Sequence, residues 1–272
     1  MFKRIGMGAL GGLVLLAATG SVACGQQTSR SLFVMEEEWI DPSLTAEYEE
    51  GVRLATTSMR EANLGPEVNW EARQHGSSYF YIFQVGSLNE IDLSSREAKA
   101  RNAQLARAMD EETYGRFHEL TTPAIRGNHL SVLEPVDQFS YQAADSAVEA
   151  PEFSHVNILR VQSAKLEQFQ TVITGIIGAL EKAEHQIGFH VYRPVIGDGK
   201  VFFDNARTYY FVSPYDSRSQ FYEEYPIGAS LVKALGEDGA KEILSDLMKC
   251  LIEMESFDYV IRPDLGYRAT NE

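Results

Sequence analysis

Two strand pairs in similar surroundings are the feature that most restricts how this chain can fold. Residues 67–84 (EVNWEARQHGSSYFYIFQ) and 188–213 (GFHVYRPVIGDGKVFFDNARTYYFVS) each contain two strand-like runs joined by a glycine-containing turn. Apolar residues that alternate with polar ones predict strands, and each pair lies between two segments with helical spacing. The chain is therefore predicted to contain two copies of one unit.

The segments around the strand pairs support this duplication. Three stretches of the first copy have counterparts in the second: SYFYIFQV and TYYFVS, LARAMDEETYGRFHEL and LVKALGEDGAKEILSDL, SVLEPVD and YVIRPD. A repeat of this length indicates a duplicated domain and not a solenoid. We place the first unit at residues 31–141, an acidic, alanine-rich linker at 142–152 and the second unit at 153–272.

Each unit is predicted to contain strand, helix, strand, strand, helix and strand, which is the ferredoxin-like order. The expected class is α+β, with two tandem units whose antiparallel sheets pack face to face and whose helices lie outside. The element order, the duplication and the aromatic third strand, SYFYIFQV and TYYFVS, resemble the dimeric α/β barrel superfamily. That superfamily includes NIPSNAP-like proteins, antibiotic-biosynthesis monooxygenases and stress-responsive A/B barrel proteins. The resemblance spans about residues 31–267 and implies a fold, but it transfers no catalytic residue and no haem ligand.

The first 23 residues have the pattern of a bacterial secretory signal peptide. Lys3 and Arg4 precede an apolar run from Ile5 to Ala18, and small residues follow. A membrane-spanning helix is the less suitable interpretation, because the run is short and rich in glycine and alanine. The domain that follows is therefore expected to be exported from the cytoplasm.

Cys24 stands directly after this leader and begins a polar tether, residues 24–30. Val22, Ala23 and Cys24 resemble the lipobox of bacterial lipoproteins, although Ser21 stands where that family usually has an aliphatic residue. The resemblance implies acylation of Cys24 and a lipid anchor, with simple secretion as the alternative. The protein is accordingly expected in the periplasm or attached to the membrane by lipid alone.

Charge and motif content exclude several functions. A net charge of -15 repels phosphate backbones, so nucleic acid is not an expected partner. The six histidines have no metal-ligand spacing, and Asp198, Asp204 and Asn205 lack the alternation of a calcium loop, so no metal is expected. No phosphate loop or dinucleotide fingerprint is present, and no cofactor is expected. Cys250, among apolar residues at helical spacing, is predicted to be a small buried residue.

A ligand pocket is predicted between the two sheets, where alternate strand side chains would point inward. Its proposed lining is mainly aromatic with a few polar groups, as small-molecule sites usually are: Trp70, Tyr81, His190, Tyr192 and Tyr209. The same aromatic residues also suit a closed core. His190 is the best candidate for a general base or ligand. The acidic runs 36–38 and 49–50 are interpreted as solvated charge.

Three functions stay open at this point. The first is a non-catalytic exported protein that binds a small apolar or aromatic molecule between its sheets. The second is an enzyme similar to the cofactor-independent oxygenases of the superfamily, with His190 and neighbouring tyrosines at its site. The third is a structural or interaction protein whose aromatic residues only fill the core.

Overall fold

The computed structural model describes residues 31–91, 107–144, 146, 148, 151–197, 206–224 and 226–269. The predicted signal peptide, the whole tether with Cys24, and the residues Asp198, Asp204 and Asn205 lie outside the described residues. None of the described helices is long and apolar enough to cross a membrane.

The chain divides into two compact units. One comprises the described residues up to 133 together with residues 262–269, and the other comprises Glu134–Ile261. This division differs from the one drawn from the sequence, because the last residues group with the first unit. The reason lies in the contacts of Trp70, described below.

The first unit has an antiparallel sheet with helices α1 and α2. Its elements in chain order are β1 (Leu32–Ile40), α1 (Thr45–Glu61), β2 (Glu71–His75), β3 (Ser78–Val85), α2 (Glu111–Thr121) and β4 (Ile125–Pro135). β1 pairs with both β3 and β4, and β3 pairs with β2, so the strand order is β4-β1-β3-β2. β1 is therefore an inner strand with a partner on each side.

The second unit repeats the same order of elements. They are β5 (Phe153–Gln162), α3 (Leu166–Ala183), β6 (His190–Ile196), β7 (Ala206–Tyr215), α4 (Ile227–Cys250) and β8 (Leu251–Ile261). The strand order is β8-β5-β7-β6. The helical backbone of α4 is interrupted at Gly236, whose φ of 75° is the left-handed conformation that glycine tolerates best.

Several sequence predictions can be compared with this arrangement. The α+β class with antiparallel strands is confirmed, and each unit shows the expected βαββαβ order. Cys250 is buried, with its thiol directed to the carbonyl of Asp246, as expected for a small core residue. The face-to-face packing of the two sheets and the origin of the units by duplication stay predictions.

The C-terminal segment joins the first unit through Trp70. The backbones of Trp70 and Tyr267 exchange two hydrogen bonds, of 2.9 and 3.0 Å. The indole N–H of Trp70 donates to the carbonyl of Leu265 at 3.0 Å, and the Tyr267 hydroxyl donates to the carbonyl of Leu64 at 2.5 Å. These contacts are far apart in sequence, so the linear pattern of the chain did not predict them.

The packing of α1 against α2 depends on Gly51. A Cβ atom at this position would lie 2.6 Å from Cγ2 of Thr121 and 3.1 Å from Cβ of Leu120. Gly115, on α2, has no atom within 4 Å of the corresponding position. The two glycines therefore form a matched pair, one at a close helix contact and one in open space.

We expect Gly51→Ala to lower the free energy of unfolding by about 1–3 kcal/mol, because the added methyl group overpacks the helix contact. Gly115→Ala should raise it by about 0.5–1 kcal/mol, because alanine favours the helical backbone. Urea unfolding of both variants at one pH measures the two changes. Effects of the same sign would contradict the close contact at Gly51.

Candidate functional site

The inner strand β1 carries two glutamates into the core of the first unit. Its side chains alternate between the two faces of the sheet, and the buried set is Val34, Glu36, Glu38 and Ile40. Glu36 is only 2% exposed and Glu38 only 1%. Carboxylates are rarely buried to this degree unless they are paired or protonated, so this strand is the natural starting point for a functional site.

Glu38 is held by a short chain of hydrogen bonds. The Tyr48 hydroxyl, on α1, donates to Oε2 of Glu38 at 2.5 Å. The hydroxyl oxygens of Tyr48 and Tyr81, on β3, are 2.6 Å apart, so the Tyr81 hydroxyl is placed to donate to Tyr48. Both tyrosines are fully buried. We refer to Glu36, Glu38, Tyr48 and Tyr81 as the acid–tyrosine cluster.

Glu36 lies at the side of this cluster that is nearer to solvent. It is directly opposite Tyr81 in the β1–β3 pairing. Its Oε1 accepts a hydrogen bond of 3.4 Å from the amide of Asn128, on β4. Asn128 is itself exposed, so this amide connects the buried carboxyl group with the surface.

One oxygen of each carboxyl group lacks a partner. Oε2 of Glu36 and Oε1 of Glu38 are buried and have no hydrogen bond among the described residues. A buried oxygen without a partner costs about 1–3 kcal/mol, and each such atom in a native protein calls for an explanation. A bound water, a ligand group or a proton on the carboxyl would each supply one.

Burial changes the acid–base properties of all four side chains. Loss of solvation raises the pKa of Glu36 to about 7, against a smaller lowering effect of the Asn128 amide. Loss of solvation, reinforced by the charge of Glu36, raises the pKa of Glu38 to about 8. The pKa values of Tyr48 and Tyr81 are raised well above their usual range, chiefly by burial. The cluster therefore holds protons near neutral pH that exposed glutamates would have lost.

A neighbouring glutamate shows the opposite behaviour. Glu49, on α1, accepts hydrogen bonds from Arg262 at 2.6 and 2.8 Å and from the Tyr79 hydroxyl at 2.6 Å. The Arg262 guanidinium is the main reason why the pKa of Glu49 is lowered to about 2. Glu49 is thus a permanent anion in an ion pair, whereas the acid–tyrosine cluster contains carboxyls that can exchange protons. Carboxyls whose pKa values are separated by their environments are typical of sites with distinct acid and base roles.

The arrangement is chemically suited to binding an oxygen-bearing group. A protonated carboxyl that is held by a tyrosine hydroxyl in an apolar setting is a hydrogen-bond donor to a carbonyl or a developing oxyanion. A carboxyl that titrates near pH 7 is also suited to accept or return a proton. No set of three His, Cys, Asp or Glu side chains in the described part of the chain is arranged to hold a metal ion.

The residues predicted to line a pocket occupy different environments. In the first unit, Trp70 and Tyr81 both lie in the hydrophobic core on the side of the sheet that α1 covers. Tyr81 belongs to the acid–tyrosine cluster, whereas the indole N–H of Trp70 is taken by the carbonyl of Leu265.

In the second unit, the sheet separates the predicted residues. Tyr209 is buried and stacks on Phe169 of α3, with ring centroids 5.2 Å apart. His190 is exposed, and it and Tyr192 pair with Val212 and Tyr210, which are on the face opposite to Tyr209. Residues on opposite faces of one sheet cannot line one pocket, so these three side chains are not brought together. The ligand role assigned to each of the five residues stays a prediction.

The interpretation of residues 36–38 as solvated charge is wrong. Glu36 and Glu38 are buried because they share a strand face with Val34 and Ile40, and only Glu37 points to the other face. Hydrophobic periodicity alone does not indicate which face is buried, because Phe33, Met35 and Trp39 on the opposite face are also apolar.

No protein-family model matches the sequence, and no curated protein matches it. Solved structures with a similar fold include a candidate monooxygenase from Lactobacillus acidophilus, with 13% identity, a TM-score of 0.48 and coverage of 88% of this chain and 97% of that one. An anthrone oxidase-like protein has 12% identity, a TM-score of 0.45 and coverage of 86% and 92%. A chlorite dismutase variant from Candidatus Nitrospira defluvii has 8% identity, a TM-score of 0.47 and coverage of 88% and 93%. These likenesses carry no inference about activity, and the superfamily named from the sequence stays a prediction.

The raised pKa values predict how stability depends on pH. In the unfolded chain a glutamate loses its proton near pH 4.5, but in the folded protein Glu36 and Glu38 keep theirs up to about 7 and 8. Unfolding therefore releases protons between these limits, and the free energy of unfolding should fall as the pH rises from 4.5 to 8. The expected slope is about 1.4 kcal/mol per pH unit for each carboxyl that only the folded state keeps protonated.

Urea unfolding of Glu38→Gln between pH 5 and 8 tests this dependence. The variant should lose the contribution of one carboxyl, so its curve should be flatter than that of the parent protein. Glu47→Gln, an exposed position of α1, is the matched control and should leave the slope unchanged. Equal slopes for the parent protein and Glu38→Gln would show that Glu38 is ionised in the folded protein.

Proposed function

We propose that the first unit binds a small, mainly apolar or aromatic molecule that carries one hydroxyl or carbonyl group. The observation that supports this proposal is the pair of buried carboxyl oxygens without partners, Oε2 of Glu36 and Oε1 of Glu38. A ligand oxygen that bonds to either atom would remove the cost of leaving it unsatisfied. The sequence analysis placed the ligand between the sheets, whereas this proposal places it on the face of the first sheet that α1 covers.

The residues around the acid–tyrosine cluster determine which class of ligand it could bind. The cluster is enclosed by apolar and aromatic side chains of the first core, so the body of the ligand must be apolar. The pKa values of about 7 for Glu36 and about 8 for Glu38 leave the two carboxyls with less than one full negative charge near neutral pH, which favours a neutral ligand over an anion. An exposed Asn128 beside Glu36 marks the side from which the ligand would enter.

A second candidate function is acid–base catalysis on the same ligand class. It is favoured by the raised pKa values of Glu36 and Glu38, because a catalytic acid or base is most effective when its pKa is near the working pH. In this case Glu36, the carboxyl nearer to solvent, would exchange the proton, and protonated Glu38, held in place by the Tyr48 hydroxyl, would donate to the oxygen of the substrate. In this proposal the oxygenase-like alternative uses glutamates and tyrosines of the first unit in place of His190 and its neighbouring tyrosines.

Native mass spectrometry of the protein purified from its own host tests the binding proposal. We expect a co-purifying small molecule on the parent protein, and its loss from a double variant, Glu36→Leu with Glu38→Leu, which removes both open oxygens. Glu47→Gln, which lies away from the cluster, should retain the molecule. Circular dichroism of each variant separates loss of the ligand from loss of the fold.

Three outcomes distinguish the candidate functions. A bound molecule recovered unchanged after incubation supports binding without catalysis. A molecule that is converted by the parent but only retained by Glu36→Gln supports catalysis. If the parent protein carries no ligand and has bound water at both oxygens, binding and catalysis are both contradicted and only the structural role remains.

We further propose that the protein is exported and anchored by acyl chains on Cys24. This rests on the leader pattern of residues 1–23 and on the Val22-Ala23-Cys24 sequence. The mass of the N-terminal peptide from a membrane fraction should show an acylated Cys24, and Cys24→Ser should move the protein to the soluble fraction. An unmodified N-terminus at residue 24 would leave export but remove the anchor.

A further inference from the structure

The second unit contains an aspartate–histidine pair that the proposed function does not use. His155 on β5 and Asp258 on β8 are directly opposite each other in the strand pairing. Nδ1 of His155 and Oδ1 of Asp258 are 2.8 Å apart. This bond fixes the orientation of the imidazole ring and leaves Nε2 as the nitrogen that is available for other partners.

Nε2 of His155 has no hydrogen bond among the described residues. It is not one of the fully buried polar atoms without partners, which indicates that it keeps some contact with solvent. The His155 side chain is 15% exposed. An imidazole held by a carboxylate on one nitrogen and open on the other is the arrangement that serves proton transfer in many sites.

An aromatic ring supplied by an irregular turn covers the imidazole. Residues Gln220–Glu224 form a π-helical turn, a rare conformation that is often found at functional sites. Phe221 of this turn stacks on the ring of His155, with centroids 4.2 Å apart and planes inclined by 24°. The next residue, Tyr222, is 63% exposed and lies edge-on to Phe221 at 4.6 Å.

A cation completes the group. The guanidinium of Arg218 lies 3.8 Å from Oδ2 of Asp258 and 5.3 Å from the ring centre of Phe153. Its side chain is 62% exposed, so most of its donors face solvent. The aspartate–histidine pair thus has an aromatic ring stacked on its imidazole and a positive charge beside its carboxylate, in a chain whose net charge is -15.

We propose that His155, Phe221, Tyr222 and Arg218 form a binding site for a planar aromatic molecule with an acidic hydroxyl group, that is, a phenol. The hydroxyl donates to Nε2 of His155, the rings of Phe221 and Tyr222 contact the ring of the ligand, and Arg218 stabilises negative charge on its oxygen. Asp258 is a positioning residue, because it holds the imidazole with Nε2 outward. A neutral phenol also avoids the repulsion that the acidic surface exerts on an anion.

This site is independent of the acid–tyrosine cluster, since all of its residues belong to the second unit. The loss of ligand from Glu38 variants and from His155 variants can therefore be measured separately. Failure of one proposal leaves the other intact.

Side-chain ¹H–¹⁵N NMR of the full exported domain with 4-nitrophenol and 4-nitroanisole tests the proposal. The two probes have the same ring, but only the phenol has a hydroxyl proton. We expect 4-nitrophenol to shift the Nε2 resonance of His155 and to bind about tenfold more tightly than 4-nitroanisole, the effect of one hydrogen bond. The visible absorbance of 4-nitrophenol reports at the same time whether the bound phenol has lost its proton.

Three variants and one control variant show which residues contribute to the affinity for each probe. His155→Gln should bring the affinities of the two probes together, and Phe221→Leu, which leaves the aspartate–histidine pair intact, should weaken both probes several-fold. Arg218→Gln should weaken 4-nitrophenol only, whereas Arg116→Gln, an exposed arginine of the first unit, should change neither. Equal affinity for the two probes, or an Nε2 resonance that does not respond, would show that His155 and Asp258 are only a structural cross-strand pair.

Discussion

The hydrogen bond from Tyr48 to Glu38 is the interaction on which the first unit depends. It joins α1 to the inner strand β1, and Tyr81 extends it to β3. Two carboxyls on an inner strand would be expensive if they were charged, because burial removes their hydration. The structure tolerates them by keeping protons on them and by providing tyrosine hydroxyls as partners. The position of α1 on the sheet and the protonation of the two carboxyls on β1 therefore depend on each other.

The pKa values of two glutamates in the first unit are shifted in opposite directions, and the difference arises from the elements that carry them. Glu38 lies on a strand with a partner strand on each side, and no cation in the described part of the chain acts on it, so burial dominates and its pKa rises. Glu49 lies on α1 within reach of Arg262, which the C-terminal segment brings back across the unit, so the ion pair dominates and its pKa falls. Tyr79 connects the two regions, because its hydroxyl bonds to Glu49 while its ring lies 4.9 Å from that of Tyr48. The ion pair of Glu49 and Arg262 therefore borders the acid–tyrosine cluster but does not exchange protons with it.

Much of the fold followed from the sequence, but the site did not. Strand pairs, helical stripes and their order predicted the βαββαβ units, since these patterns are local. In the first strand the large apolar side chains of Phe33, Met35 and Trp39 lie on the face opposite to the buried one. The burial of Glu38 depends on Tyr48, which is 10 residues away, and Tyr48 in turn on Tyr81, which is 33 residues further on. Such contacts are properties of the assembled unit. Periodicity can indicate which face a glutamate occupies, but only the packed helix shows what that face meets.

Both candidate sites hold a titratable group through one of its atoms, but they differ in whether the other atom is buried. In each, a titratable group is fixed through one atom and left open at the other: Tyr48 holds Oε2 of Glu38 and leaves Oε1, and Asp258 holds Nδ1 of His155 and leaves Nε2. The open atom of His155 reaches solvent, so the folded protein loses nothing when that site is empty. The open atom of Glu38 is buried, so an empty site has a cost that a proton, water or ligand must offset. A ligand at either site would stabilise the folded protein by mass action, but only at the acid–tyrosine cluster would it also satisfy a buried atom that otherwise lacks a partner.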